Sequence, residues 1–160
     1  MPFSLSFFRT SAFVVAVLLA AATMSASPAR ADRCDDLAKQ LSAQITGLKI
    51  GKTMAGVIYL EHPAVTQASL GCSSRNRTND VFASTDKRKP APEFYDFIAT
   101  AAAQVFTIPK PDALKGAQRC VKRTNIIRGY NISSRYRRLD IHCTVAKTGV
   151  RITIAREKDG

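Results

Sequence analysis

The sequence predicts an α+β fold in which two main helices pack on a mostly antiparallel sheet of five or six strands. Two segments repeat apolar residues at helical spacing, and several shorter segments alternate apolar and polar residues as strands do. Four cysteines in a chain of 160 residues add the prospect of disulfide cross-links. Helices and strands in this mixed order are typical of a two-layer sandwich.

The N-terminal 31 residues are typical of a secretory signal peptide. Arg9 precedes an apolar run over residues 12–22, and residues 29–31 have the small-x-small pattern of a cleavage site. The apolar run is shorter than the about 20 residues that a membrane-spanning helix needs. We therefore expect cleavage after Ala31, which leaves residues 32–160 as one periplasmic or secreted domain without a transmembrane segment.

The four cysteines predict two disulfide bonds, because an even number in an exported chain indicates a disulfide framework. Of the three possible connectivities, the pairs Cys34–Cys72 and Cys120–Cys143 are preferred, since each pair flanks one compact unit. The chain has no C-x-x-C, and its two histidines lack zinc-finger spacing. We therefore expect neither a metal nor a cofactor.

The first helix is predicted over about residues 33–50, where apolar residues form one stripe and Gly51 can end the helix. Residues 54–61 are rich in Val, Ile and Tyr and predict a buried strand. His62-Pro63 then separates this strand from a second one, which ends near Cys72, and the short connection predicts an antiparallel hairpin.

Residues 73–92 have a polar composition that predicts a long surface connection, with a brief strand only at Val81 and Phe82. The second helix is predicted over about residues 92–108, because a proline fits its first turn and Pro109 stops it. A shorter helix from Asp112 leads to the C-terminal region.

The C-terminal region changes to period two and predicts three strands with one buried face. A loop of two or four residues is favoured here, because a two-residue loop at Thr148-Gly149 pairs Val145 with Ile152 and keeps apolar residues opposite each other. The segment SSRYRRLD is interpreted as a hairpin tip. The opposite, exposed face is expected to carry Arg138, Asp140, His142, Thr144, Arg151 and Thr153.

Positive charge is concentrated in the last third of the chain. Residues 32–109 hold 9 basic and 8 acidic residues, whereas residues 110–160 hold 13 basic and 4 acidic residues. A region of one sign attracts anionic partners, although the same charge can serve solubility alone. The candidate anion-binding residues are Lys122, Arg123, Arg128, Arg135, Arg137, Arg138, Arg151 and Arg156.

These observations favour a small, exported, basic and non-enzymatic protein that binds an anionic surface, a polymer or an acidic protein through its C-terminal cationic hairpin. Nucleic acid is disfavoured as a partner by the predicted location. Asp140 and His142 form the most suggestive catalytic cluster, but neighbours on one strand face lie about 6.5–7 Å apart, beyond direct hydrogen bonding. Two alternatives stay open, an inhibitor of an exported enzyme and a small hydrolase that uses His142 or His62. The sequence does not indicate an oligomeric state.

Overall fold

The computed structural model describes residues 31–74, 78–124 and 129–156. It confirms the α+β class, with three helices against a seven-stranded antiparallel sheet and two disulfides. The predicted signal peptide lies outside the described residues except for Ala31, the first residue of helix α1.

The elements follow one another as α1 (Ala31–Gln44), β1 (Lys49–Met54), β2 (Val57–Glu61), β3 (Gln67–Gly71), β4 (Asp80–Thr85), α2 (Pro92–Phe106), α3 (Lys110–Arg123), β5 (Asn131–Tyr136), β6 (Leu139–Ala146) and β7 (Gly149–Arg156). In space the strand order is β1-β2-β3-β4-β7-β6-β5. An N-terminal meander of four strands therefore meets a C-terminal meander of three strands where β4 pairs with β7.

The core lies between the helices and one face of the sheet. Five apolar residues of this inner face are direct cross-strand neighbours from β2 to β6, and none is more than 1% exposed: Ile58, Leu70, Val81, Ile154 and Ile141. Helix α2 covers the sheet with buried Phe94, Phe97 and Ile98. Burial of each such side chain stabilises the fold by about 1.5–3 kcal/mol, so this row holds the two meanders together.

Helix α1 ends at Gln44, about six residues before the predicted end, and residues 49–54 form strand β1 instead. Gly47 adopts a left-handed φ of 84°, which turns the chain out of the helix. Ile45 and Leu48 stay buried beyond this turn, so the apolar spacing continues although the helix does not.

The predicted strand over residues 54–61 is divided by a turn. Ala55 and Gly56 both have positive φ, 51° and 73°, as the central residues of a two-residue hairpin between β1 and β2. With β1 and β2 both present, the sheet has seven strands and not five or six. The predicted hairpin on either side of His62-Pro63 is confirmed as β2 and β3.

Strand β4 confirms the brief strand predicted at Val81 and Phe82, but it is longer and more central than a surface connection over residues 73–92 would allow. Asp80–Thr85 instead forms the middle strand of the sheet, with Val81 and Ala83 fully buried. Ser84 and Thr85 are only 8% and 9% exposed, so polar side chains line part of a buried strand. The polar composition of this segment therefore indicated only part of the strand.

The turn between β6 and β7 has two residues, one of the two predicted lengths, but it is formed by Lys147-Thr148 and pairs Val145 with Val150. Gly149 is already part of β7. A Cβ at Gly149 would collide with the carbonyl oxygen of Thr85 on β4. This glycine therefore serves the close approach of two strands, not the turn.

Both preferred disulfides are confirmed. Cys34 of α1 is bonded to Cys72 after β3, and Cys120 of α3 is bonded to Cys143 of β6. These bonds indicate an oxidising, extracytoplasmic environment. No helix in the described part of the chain is long and apolar enough to cross a bilayer.

Candidate anion-binding site

Strands β5 and β6 form the predicted hairpin, and its tip consists of two arginines. Tyr136 pairs with Leu139, which leaves Arg137 and Arg138 as the two turn residues, both exposed. Their φ angles are 50° and 63°, in the left-handed region. Such turns favour Asn-Gly, and a left-handed conformation costs an ordinary L-residue roughly 1–2 kcal/mol.

Helix α3 brings two further arginines to the same hairpin. The Arg119 guanidinium lies 6.0 Å from the centre of the Tyr136 ring, within the range of a cation–π contact. Arg123 Nη1 donates a hydrogen bond of 3.4 Å to Ser134 Oγ. The Cys120–Cys143 disulfide holds α3 over β6. Arg119 and Arg123, one helical turn apart, therefore contact Tyr136 and Ser134 on the same face of β5.

Gly116 allows this close approach of α3 and the hairpin. A Cβ at this position would lie 3.2 Å from Tyr136 Cδ1 and 2.6 Å from Ile141 Cδ1. The sequence alone showed only the propensity cost of glycine in a helix, about 1 kcal/mol relative to alanine. The structure explains why glycine occurs here, since a larger residue would collide with Ile141 and Tyr136.

The outer face of the hairpin is organised by pairs across the strands. Arg135 Nε donates to Asp140 Oδ1 at 3.1 Å, and Ser133 Oγ lies 3.0 Å from His142 Nδ1. Asp140 and His142 do share the exposed face, as predicted. Asp140 and His142 nevertheless form their hydrogen bonds with residues of β5 and not with each other, because directly opposed residues are closer than neighbours along one strand.

We use the name arginine corner for the cations that the structure gathers around the hairpin tip. Arg156 belongs to it because it pairs with Leu139, next to the turn. The corner contains six arginines and one aspartate, Asp140, a formal charge of +5. The arginines are Arg119, Arg123, Arg135, Arg137, Arg138 and Arg156.

The arginine corner as defined does not include the other candidate residues. Lys122 is exposed on α3, and Arg128 lies outside the described residues. Arg151 pairs with Thr144, four residues along β6 from Asp140, or about 13 Å away. Arg119 was missed by the sequence interpretation, although its position four residues before Arg123 places both on one side of a helix.

The imidazole of His62 is held by the fold through both nitrogens. Nε2 donates to the Thr46 carbonyl oxygen at 3.1 Å, and Nδ1 accepts from the Ala64 N–H at 3.2 Å. The ring also stacks on Phe97, with centroids 4.8 Å apart. His62 therefore links the loop after β2 to the loop after α1 and to α2, which is a structural role.

The Ser133–His142 pair lies in an open depression of about 500 Å³ on the outer face of the sheet. In a nucleophilic triad a third group orients the histidine, but the Asp140 carboxylate is bound to Arg135. The described residues contain no group of three or more His, Cys, Asp or Glu side chains placed to hold a metal ion. Among the described residues, the arginine corner is therefore the grouping that we treat as the candidate site.

Comparison with protein-family models found no match, and comparisons with curated proteins and with solved structures found no significant similarity either.

Proposed function

We propose that the protein is an exported, basic binding protein that uses the arginine corner at the tip of its C-terminal hairpin to hold an anionic partner or envelope surface. The observation that carries this proposal is the turn itself. Arg137 and Arg138 occupy both central positions although each adopts a left-handed conformation. Two-residue turns of this kind favour Asn-Gly, Asp-Gly or Gly-Gly, which lower this conformational cost. Strained residues of this kind concentrate at functional sites.

The chemistry of the arginine corner supports the same proposal. A guanidinium group presents a planar fork of N–H donors that matches carboxylate, phosphate and sulfate groups. Arg137 and Arg138 are exposed at the tip, so a partner reaches them without any rearrangement of the core. Each arginine close to an anionic membrane contributes about 1 kcal/mol to binding.

Reversal of the two turn charges tests the proposal. We expect Arg137→Glu/Arg138→Glu to weaken retention on heparin and on vesicles that contain anionic lipid, and to reduce the salt dependence of retention. A matched control is Lys49→Glu/Lys52→Glu on β1, the opposite edge of the sheet, which makes the same change in net charge. Equal losses in the two variants would show that only net charge matters and would refute a dedicated site.

A further inference from the structure

Strand β5 is an edge strand whose outer side faces away from the rest of the sheet. It pairs with β6 alone among the strands of the described ranges. The Val145 N–H donates to the Tyr130 carbonyl oxygen at 2.7 Å, which makes this pair a hydrogen-bonded one. Hydrogen-bonded and non-hydrogen-bonded pairs alternate along an antiparallel ladder. The pairs of Asn131 and Ser133 with β6 are therefore of the non-hydrogen-bonded kind.

The consequence concerns the backbone of Asn131 and Ser133. In a non-hydrogen-bonded pair the N–H and C=O groups of a residue point away from the partner strand. Those of Asn131 and Ser133 accordingly point out of the sheet, and both residues are exposed. Such an edge is a template for one more strand, which natural proteins either block or use for binding.

Helix α3 gives this edge a charge pattern. Arg123 contacts Ser134 and Arg119 contacts Tyr136, and both β5 residues have side chains on the helix side of the sheet. Side chains at i and i+2 of a strand lie about 6.5–7 Å apart, close to the pitch of one helical turn, about 5.4 Å. An eighth strand beside β5 would thus place alternate side chains against the same two arginines.

We infer that the β5 edge binds an extended acidic segment of a partner polypeptide as an added strand, with carboxylates at alternate positions facing Arg119 and Arg123. This inference rests on the proposed function, because it specifies the anionic partner of the arginine corner. The backbone of Asn131 and Ser133 supplies directional hydrogen bonds, and the arginines select the charge.

The charges also distinguish this partner from a second copy of the chain. Edge-to-edge pairing of two β5 strands would place the arginines of both copies along one seam, and like charges across a seam oppose association. A polysaccharide or a lipid would satisfy the arginines but lacks the regularly spaced N–H and C=O groups that an open strand edge pairs with. Only an acidic polypeptide uses both features.

The test uses a short peptide with blocked termini in which glutamate alternates with threonine, titrated into the full-length protein by calorimetry or fluorescence anisotropy. A second peptide has the same sequence with alternate backbone nitrogens methylated on the side that faces β5, which removes N–H donors and keeps every charge. We expect the methylated peptide to bind at least about tenfold more weakly. Backbone NMR shifts should change at residues 131–135 with the first peptide.

Protein variants provide an independent arm. Arg119→Gln/Arg123→Gln should weaken peptide binding, whereas Lys115→Gln/Lys122→Gln, which removes two exposed charges from the same helix, should leave it within about twofold. Ser133→Pro should weaken binding without loss of a ladder hydrogen bond, since the N–H of Ser133 points outward.

The outcomes separate this inference from the proposed function. If methylated and unmethylated peptides bind equally, the strand addition is wrong, and retention on heparin or vesicles through Arg137 and Arg138 decides the proposed function separately. If the peptide does not bind although vesicles or heparin do, the partner is not an acidic polypeptide. If the unmodified protein binds neither the peptide nor heparin nor anionic vesicles, both the strand addition and the proposed function are wrong.

Discussion

An Asn-Gly turn in place of Arg137-Arg138 should make the protein more stable and weaken its binding to anions. The left-handed conformation costs each arginine roughly 1–2 kcal/mol, glycine adopts it freely, and asparagine tolerates it better than most residues. Glycine offsets about 0.5–1 kcal/mol of this gain, because it increases the conformational entropy of the unfolded chain. We expect Arg137→Asn/Arg138→Gly to raise the free energy of unfolding by about 1–2 kcal/mol.

The same change removes two charges from the arginine corner. At about 1 kcal/mol for each arginine near an anionic membrane, affinity for vesicles should fall by about 2 kcal/mol, which is about thirtyfold. Urea denaturation measures the first effect and vesicle sedimentation measures the second. Strained residues at a functional site commonly lower stability, so a gain in stability together with a loss of binding would mark Arg137 and Arg138 as functional residues.

The second positive-φ turn of the sheet supplies the control. Ala55→Asn in the β1–β2 turn, at φ 51°, should stabilise the fold by about 1 kcal/mol or less and leave vesicle binding unchanged. Reduced stability of the Asn-Gly variant would contradict the left-handed turn. Increased stability with unchanged affinity would show that the two arginines serve solubility alone.

Three other predictions concern the fold. Gly149→Ala should lower the free energy of unfolding by about 3 kcal/mol or more, because φ is 133° and the new Cβ meets the backbone of β4. Gly56→Ala, where a Cβ would have nothing within 4 Å, should lower it by only about 1–2 kcal/mol. Similar losses for the two variants in urea denaturation would contradict the packing argument. Cys120→Ala/Cys143→Ala should lower Tm by removing roughly 3 kcal/mol of stability, and an unchanged Tm would refute a structural role for this disulfide. Burial raises the pKa of the Tyr95 phenol above 10.0, so its protonated form contributes stability that is present below pH 10.0 and is lost as pH rises through the raised pKa. Tyr95→Phe should lessen this loss of stability at alkaline pH. Identical denaturation curves for the variant and the unmodified protein would contradict this role of Tyr95.

Strands β6 and β7 could be predicted from the sequence because one face of each is buried and the other is exposed. Leu139, Ile141 and Cys143 alternate with polar residues, and a slip of one residue would have exposed them all. The register was nevertheless displaced by two residues. Such a shift keeps apolar residues opposed, so the alternation of the two strands does not distinguish the two registers.

Strand β1 could not be predicted, and strand β4 was predicted only in part, because the environment of both comes from the rest of the fold. Ile50 and Met54 on β1 are exposed at a sheet edge, so no alternation of burial marks that strand. Strand β4 is buried by neighbours on both sides, β3 and β7, and a polar pair such as Ser84 and Thr85 is accommodated there.

The hairpin tip of the candidate site was predicted correctly, but its two important properties were not. Arginine has no preference for the left-handed region, so the conformation of Arg137 and Arg138 follows from the two-residue connection of the strands. Arg119 joins the site only because α3 docks beside Tyr136. The local sequence SSRYRRLD indicates neither the left-handed conformation of the two arginines nor the contact of Arg119 with Tyr136.

The two disulfides join cysteines that are consecutive in the chain, and each lies on its own side of the β4–β7 junction. When such a chain enters an oxidising compartment from its N-terminus, Cys34 and Cys72 are both present before Cys120 arrives. Because each cysteine is bonded to its neighbouring cysteine in the chain, we expect the native pairing to form with little disulfide exchange. Oxidative refolding of the reduced chain without an isomerase would measure this.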